Sequence, residues 1–256
     1  MVTDRRTLLG AALAAGATTL AAPLRAATLP RADHVVLVHG LFADGSSWGE
    51  VIPLLQARGL DVTSVQNPLT SLAEAVAACS RVLDRQPGAT VLAGHSFAGM
   101  IVTEAGVHPR VSALAYVAAR APDAGEDYAA LAATYPAPPA AAGIVFDGDE
   151  GRLSEATFLR DFAPDLPPAR ARALYAAQWP FRRSLTTERT RHAAWRHRPS
   201  VYAVSTQDRV IDPGLQRFMA RRMRAETVEL AASHVSLLSQ PRAVADLILR
   251  AAGRAS

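Results

Sequence analysis

The 256-residue sequence contains no lysine, so all 27 of its basic side chains are arginine, set against 23 acids. Guanidinium stays protonated at any ordinary pH, which lifts the isoelectric point to about 9.8 although the formal net charge is only +4. Such a balance creates no concentrated field and does not imply nucleic acid or another polyanion as a partner. Cysteine is almost missing too. Cys79 alone cannot close an internal disulfide, and no Cys/His pair has zinc spacing, so a disulfide-stapled miniprotein and a structural zinc domain are both excluded. There are no internal repeats, and no segment beyond the N-terminus is apolar enough to span a bilayer. What remains is 50% hydrophobic and 20% charged, an ordinary globular composition in a length that suits one large domain.

The first residues read as an address. Arg5 and Arg6 precede an apolar, small-residue run from Leu8 to Ala22, and Pro23 and Leu24 to Ala27 close it. A charged start, a short apolar middle and a small-residue end describe an export signal, and adjacent arginines point to the twin-arginine route. The run is shorter than the roughly 20 residues of a membrane anchor, so cleavage near Ala26 or Ala27 is expected. Residues 1–26 are then signal and 27–256 a single domain, exported to the periplasm or beyond. The mature chain keeps 24 arginines against 22 acids and is nearly neutral.

Strand and helix signals alternate after residue 33. His34 to Val38 is a β-branched run of the kind buried on both faces, followed by a glycine-containing loop from Gly40 to Ser47. A helix is expected over Trp48 to Arg58, closed by Gly59, then a strand over Leu60 to Val65. Ser71 and Glu74 form a capping box that starts a helix running to about Asp84. Cys79 falls inside it and reads as a small buried hydrophobe. A strand from Thr90 to Ala93, a sharp turn, a helix to about His108 and a strand from Val111 to Val117 complete a βαβα pattern, which predicts a parallel sheet covered by helices.

The pattern breaks between Pro122 and Pro199, which bound a stretch holding nine of the 17 prolines. That density predicts an insertion of short helices and loops. Alternation resumes with a strand over Val201 to Ser205, a helix capped by Asp212 with Pro213 at its first position, a strand over Thr227 to Leu230 and a final helix from Pro241 to Ala252.

Between the third strand and its helix stands Gly94-His95-Ser96-Phe97-Ala98-Gly99, the place and composition of a nucleophile elbow. Small residues two before and two after the serine let the backbone bend tightly. Alanine stands where glycine is usual at 98. A serine hydroxyl becomes a good nucleophile when a histidine takes its proton, and that histidine needs a carboxylate to hold its tautomer. Asp208 and His234 each follow a strand of the second half, at the sheet edge where ligands bind, in the chain order Ser, Asp, His. Asp212 is the fallback acid, although it is committed to capping. His95 stands beside the serine, while His39, His108, His192 and His197 read as structural or solvent-facing. Asp147-Gly148-Asp149 lacks the later ligands of a calcium loop and reads as a hairpin turn. For an oxyanion, the backbone N–H of Phe97 supplies one donor, and the loop His39-Gly40-Leu41-Phe42 supplies a second from Leu41; each such donor is worth about 3–4 kcal/mol.

Val38-His39-Gly40, the Gly94 to Gly99 elbow, Asp208 and His234 together resemble the α/β-hydrolases from about residue 33 to the end. The segment His39 to Trp48 resembles the bacterial esterases related to plant methylesterases and hydroxynitrile lyases. The resemblance implies an α/β-hydrolase fold with a mostly parallel sheet, and a lid inserted at about 122–199 after the strand that follows the elbow. It also implies a serine carboxylic-ester hydrolase working through an acyl-enzyme without metal or cofactor. The same triad could serve cofactor-free cyanohydrin or C–C cleavage, but such lyases need polar groups at the oxyanion loop, and Gly40-Leu41-Phe42 offers no side-chain donor. A hydrolase fold used only to bind a ligand is the third reading. Phe42, Trp179 and Trp195 are candidate pocket residues, which suggests a small ester with an apolar group as substrate.

Overall fold

A computed structural model describes Met1 and residues 31–254; the expected export signal lies outside the described residues. Four strands open the fold: β1 (His34–Val38), β2 (Asp61–Val65), β3 (Thr90–His95) and β4 (Val111–Val117). The lid holds β5 (Ile144–Asp147), β6 (Glu150–Leu153) and β7 (Phe181–Arg182), after which the core resumes with β8 (Ser200–Ser205) and β9 (Glu226–Leu230). The six core strands lie side by side in the order β2-β1-β3-β4-β8-β9, every pair parallel. Val35 to Val38 and Val91 to Ala93 have no exposure at all, which is why these strands read as continuous apolar runs without alternation.

Helices cover the sheet. They run in chain order as α1 (Ile52–Gln56), α2 (Leu72–Leu83), α3 (Ala98–Ala105), then α4 (Tyr128–Ala132), α5 (Glu155–Thr157) and α6 (Pro168–Ala177) in the lid, and α7 (Pro213–Arg222), α8 (Ser236–Ser239) and α9 (Pro241–Ala251). α9 buries Val244, Leu247, Ile248 and Ala251 on one stripe and packs on β8 and β4. Asp212 caps α7 by accepting the Leu215 N–H at 3.0 Å, with Pro213 in the first turn.

Three local expectations are corrected. The helix expected over Trp48 to Arg58 is instead a 3-10 turn over Gly45–Trp48 and the short α1, because Pro53 lacks an N–H and is tolerated only in a first turn. The capping box before α2 is half made: Ser71 accepts the Glu74 N–H at 3.2 Å, but the Glu74 carboxylate takes the Thr70 hydroxyl. The lid is more than helices and loops, since β5, β6 and β7 form an antiparallel sheet. Its strands are four, four and two residues long, too short to leave a readable alternation. The hairpin expected at Asp147-Gly148-Asp149 does join β5 to β6, with Gly148 at φ 57°.

Candidate active site

The elbow is built by one strained residue and two close approaches. Ser96 has φ 57°, a left-handed conformation that a serine adopts only where its surroundings hold it. A Cβ on Gly94 would stand 2.6 Å from Val102 and 2.9 Å from the Ala98 carbonyl, so the strand can meet the helix there only without a side chain. The second glycine that the elbow requires is Gly99, where a Cβ would lie 1.8 Å from the Arg120 carbonyl oxygen. This explains why alanine is accepted at 98: the tight packing against the neighbouring strand's end falls one residue later.

Ser96, His234 and Asp208 meet at the C-terminal edge of the sheet, all three buried. Ser96 Oγ lies 2.8 Å from His234 Nε2, and His234 Nδ1 lies 2.7 Å from Asp208 Oδ2. A carboxylate can only accept, so Nδ1 carries the proton and Nε2 is left to accept from the serine hydroxyl. The remaining acceptor positions of Asp208 are filled. Oδ1 takes the Val210 and Ile211 N–H groups at 2.7 and 3.0 Å, and Oδ2 also takes Gln216 Nε2 at 2.7 Å. Gln216 is itself pinned, donating to the Ile211 carbonyl and accepting from the Ser205 N–H. Sequence reading missed it; its signal was a polar residue on the buried face of α7 between Leu215 and Met219.

The loops that carry the histidine and the acid are tied to the lid. The N–H and hydroxyl of Ser233, next to His234, donate to the two oxygens of Asp165 at 2.8 and 2.5 Å. Arg209, next to Asp208, donates at 2.7 Å to Asp161, whose side chain is wholly buried and also paired with Arg160. These hydrogen bonds hold the Asp161 carboxyl below the usual carboxylate range, Arg160 contributing most. From the sheet side, His95 Nε2 donates to the His234 carbonyl at 2.9 Å. Burial, with His234 as the next cause, pushes the His95 pKa well down and keeps the ring neutral.

The loop after β1 comes within contact of the serine. A Cβ on Gly40 would stand 2.7 Å from Ser96 Cβ and 2.9 Å from the His95 carbonyl oxygen, so only glycine fits. The Asn67 N–H donates to His39 Nε2 at 3.1 Å, which places the single ring proton on Nδ1, donating to the Gly40 carbonyl at 2.9 Å. That carbonyl shares a peptide plane with the Leu41 N–H, so holding one aims the other. Among the described residues, neither the Leu41 N–H nor the Phe97 N–H donates to a protein group.

Leu41, Phe42 and Ser96 line one cavity of about 270 Å³, completed mostly by lid residues including Tyr128, Pro138, Ile144, Leu153 and Phe181. Phe42, at φ 63°, packs edge-on against Phe162 and Phe181 of the lid, with centroids 5.9 and 5.3 Å away. The two tryptophans expected in the pocket are elsewhere. Trp179 is 61% exposed and borders a separate depression beside Asn67 and Pro68. Trp195 is buried outside the cavity, its Nε1 donating to the Pro122 carbonyl at 2.8 Å, so it secures the start of the lid. Aromatic identity alone could not separate an anchor from a pocket wall. Cys79 is buried, and its thiol is pushed up to about 12 by burial, which leaves it inert at neutral pH. Among the described residues, no group of three or more His, Cys, Asp or Glu could hold a metal ion, and no helix is long and apolar enough to cross a membrane.

No curated protein matches the chain. Solved structures that resemble it include polyneuridine aldehyde esterase, at 20% identity and TM-score 0.73 over 85% of this chain and 98% of that one. A pyrethroid hydrolase from Sphingobium faniae is 22% identical, with TM-score 0.71 over 86% of this chain and 96% of its own. An extracellular alpha/beta-hydrolase from a Paenibacillus species is 20% identical, with TM-score 0.71 over 85% and 98%. At these identities the likeness establishes the fold. Residues 35–247 match the model of the alpha/beta hydrolase family, and the chain belongs to that family.

Proposed function

We propose that the protein is a carboxylic-ester hydrolase in which Ser96 is the nucleophile, His234 its general base and acid, and Asp208 the group that orients the histidine. The observation that carries this reading is the continuous hydrogen-bond relay, 2.8 and 2.7 Å long, from a serine that opens onto a largely apolar cavity. In the reaction, Ser96 Oγ attacks the ester carbonyl while His234 Nε2 takes its proton. The Leu41 and Phe97 N–H groups donate to the resulting oxyanion. The oxyanion collapses, the alcohol departs with the proton from His234, and an acyl-serine remains. Water then attacks the acyl carbon, giving its proton to His234, and the acid leaves as Ser96 Oγ recovers that proton.

The cavity volume is below that of drug-sized sites, which points to a small ester, and its wall of proline, alanine, isoleucine, leucine and phenylalanine suits an apolar part. Names among the similar structures, an aldehyde esterase, a methylesterase from Arabidopsis and pyrethroid hydrolases, are consistent with ester cleavage. The chain works as one domain, residues 27–256, after export through the signal carried by Arg5 and Arg6. Incubation with a fluorophosphonate should label Ser96, and Ser96→Ala should abolish both labelling and ester turnover. Residual activity above about one hundredth of wild type would remove Ser96 from the nucleophile role, since loss of a triad member costs on the order of a millionfold.

A further inference from the structure

Arg120 follows the end of β4, and its backbone N–H donates to the Ser96 carbonyl at 3.0 Å. The residue lines the same cavity as Ser96. Its guanidinium carbon stands 4.6 Å from the centroid of the Tyr128 ring and 5.5 Å from that of Phe97. Two aromatic rings thus flank the cation, yet among the described residues its side chain makes no ion pair and no hydrogen bond. None of its nitrogens is among the buried atoms sealed away without a partner, so they remain open to solvent-sized space.

Arg222 shows what the same chain does with an arginine that needs only structural support. It too lies against aromatic rings, Trp195 and Phe218, but its two terminal nitrogens grip the Glu126 carboxylate at 2.7 and 2.8 Å. Arg120 has no such acid. The cavity's other charged side chain, Asp212, caps α7 through Leu215 and forms no ion pair with it. Burial lowers the Arg120 pKa from the usual arginine value, with Tyr128 acting the other way, but a guanidinium remains charged at neutral pH. A cation partly stripped of water and given no counter-charge by the fold is costly to maintain, and a ligand anion would relieve that cost.

We infer that Arg120 is a specificity residue, and that the natural ester carries a carboxylate which this guanidinium binds. The inference rests on the ester-hydrolase reading of Ser96. The planar fork of the guanidinium and two parallel carboxylate oxygens suit one another, and the flanking rings hold the cation in place. A compact cavity with apolar walls and one cation fits a short half-ester of a dicarboxylic acid, or a simple acyl group on an alcohol that bears a carboxylate.

Matched esters test this. On the acyl side, mono-p-nitrophenyl glutarate is compared with p-nitrophenyl pentanoate, in which a methyl replaces the carboxylate. On the alcohol side, 3-carboxy-4-nitrophenyl pentanoate is compared with p-nitrophenyl pentanoate. Rates are corrected for spontaneous hydrolysis, and the readout is the ratio of kcat/KM, so any loss common to both esters cancels. In one arm the wild-type protein should favour the anionic ester about tenfold or more, mainly through KM, as expected for a charge-assisted contact. Arg120→Gln should erase that preference, and Arg120→Lys, which keeps the charge without the fork, should retain part of it. A wild-type ratio below about threefold in both arms, or one that Arg120→Gln leaves unaltered, would overturn the inference. Should Arg120→Gln fail to fold, a preference as strong in Arg120→Lys as in wild type overturns it equally. Titration of free glutarate into the full chain separates this inference from the function on which it rests. Arg120-dependent binding without turnover of any ester would retain the anion site and dismiss the esterase, whereas turnover without such binding or preference would do the reverse.

Discussion

Asp165 accepts both hydrogen bonds that Ser233 can donate, one from its backbone N–H and one from its hydroxyl, and Ser233 directly precedes His234. A lid carboxylate therefore fixes the loop from which the histidine projects. Asp165→Ala should leave the buried Ser233 N–H without a partner, which costs about 1–3 kcal/mol of stability. Displacing the imidazole from Ser96 should lower kcat on the order of a hundredfold. Asp165→Asn keeps one acceptor and should lie between. Thermal melts and kcat for the two variants check this, and wild-type kcat in a destabilised Asp165→Ala would show that the tether serves folding alone.

Replacing Asp208 by asparagine should be far more damaging than its size suggests. The two N–H groups from Val210 and Ile211 claim the side-chain oxygen at one position, which turns the new NH₂ towards Gln216 and His234 Nδ1. The imidazole must then accept at Nδ1 and carry its proton on Nε2, facing Ser96 with the wrong tautomer. By analogy with other triads, kcat should fall about ten-thousandfold, or about 5.5 kcal/mol. Asp212→Asn should cost less than about 1 kcal/mol of stability, because asparagine caps as well as aspartate. Steady-state assays of both variants on one ester settle the acid: collapse in Asp212→Asn with activity kept in Asp208→Asn would transfer the role.

A single methyl group at Gly40 should disable the site. It would sit 2.7 Å from Ser96 Cβ and 2.9 Å from a backbone oxygen that cannot rotate away. Gly40→Ala should therefore cost about 1–3 kcal/mol of stability, as overpacking does, and reduce kcat/KM at least about a hundredfold by moving the Leu41 N–H. Fluorophosphonate labelling at the wild-type rate would contradict this.

Acid should weaken the fold through two buried histidines. Burial lowers the pKa of His39, against the opposing hydrogen bond to Gly40, and lowers that of His95 strongly. Both rings are neutral in the folded protein, whereas in the unfolded chain they take up protons near the ordinary histidine value of 6.5. Their contribution is thus complete above that pH and declines below it, towards the depressed folded values, by up to about 1.4 kcal/mol per pH unit for each ring. Urea unfolding from pH 8 to pH 5 should show the decline, and His95→Gln should flatten it. Equal slopes for the two proteins would exclude His95 as a source.

What could be read in the sequence followed from local chemistry. β4 is bounded as expected because its β-branched and apolar run is buried on both faces. The elbow, Asp208 and His234 stand out as candidates because strand ends and small residues mark them before any contact is known, and the structure brings their side chains together. The partners of those residues were not recognisable. Asp165, Asp161 and Gln216 act across 68, 48 and 8 residues respectively, and nothing in their neighbourhood distinguishes them from surface or core residues. Trp179 and Trp195 failed for the same reason, since only the packing of the lid decides which aromatic side chain faces the serine.

The two acidic tethers have an evolutionary and engineering consequence. Asp161 and Asp165 join the lid to both loops of the relay, so the lid is not an exchangeable cassette: a graft from another hydrolase would bring a new pocket wall and unseat the histidine and its acid together. Freedom to vary lies instead in α4, where Ala129 and Ala132 face the cavity and, among the described residues, neither bonds to those loops. Divergence of substrate range in this lineage should accordingly concentrate on that one short helix, with the stretch from Phe158 to Asp165 held back by the relay it supports.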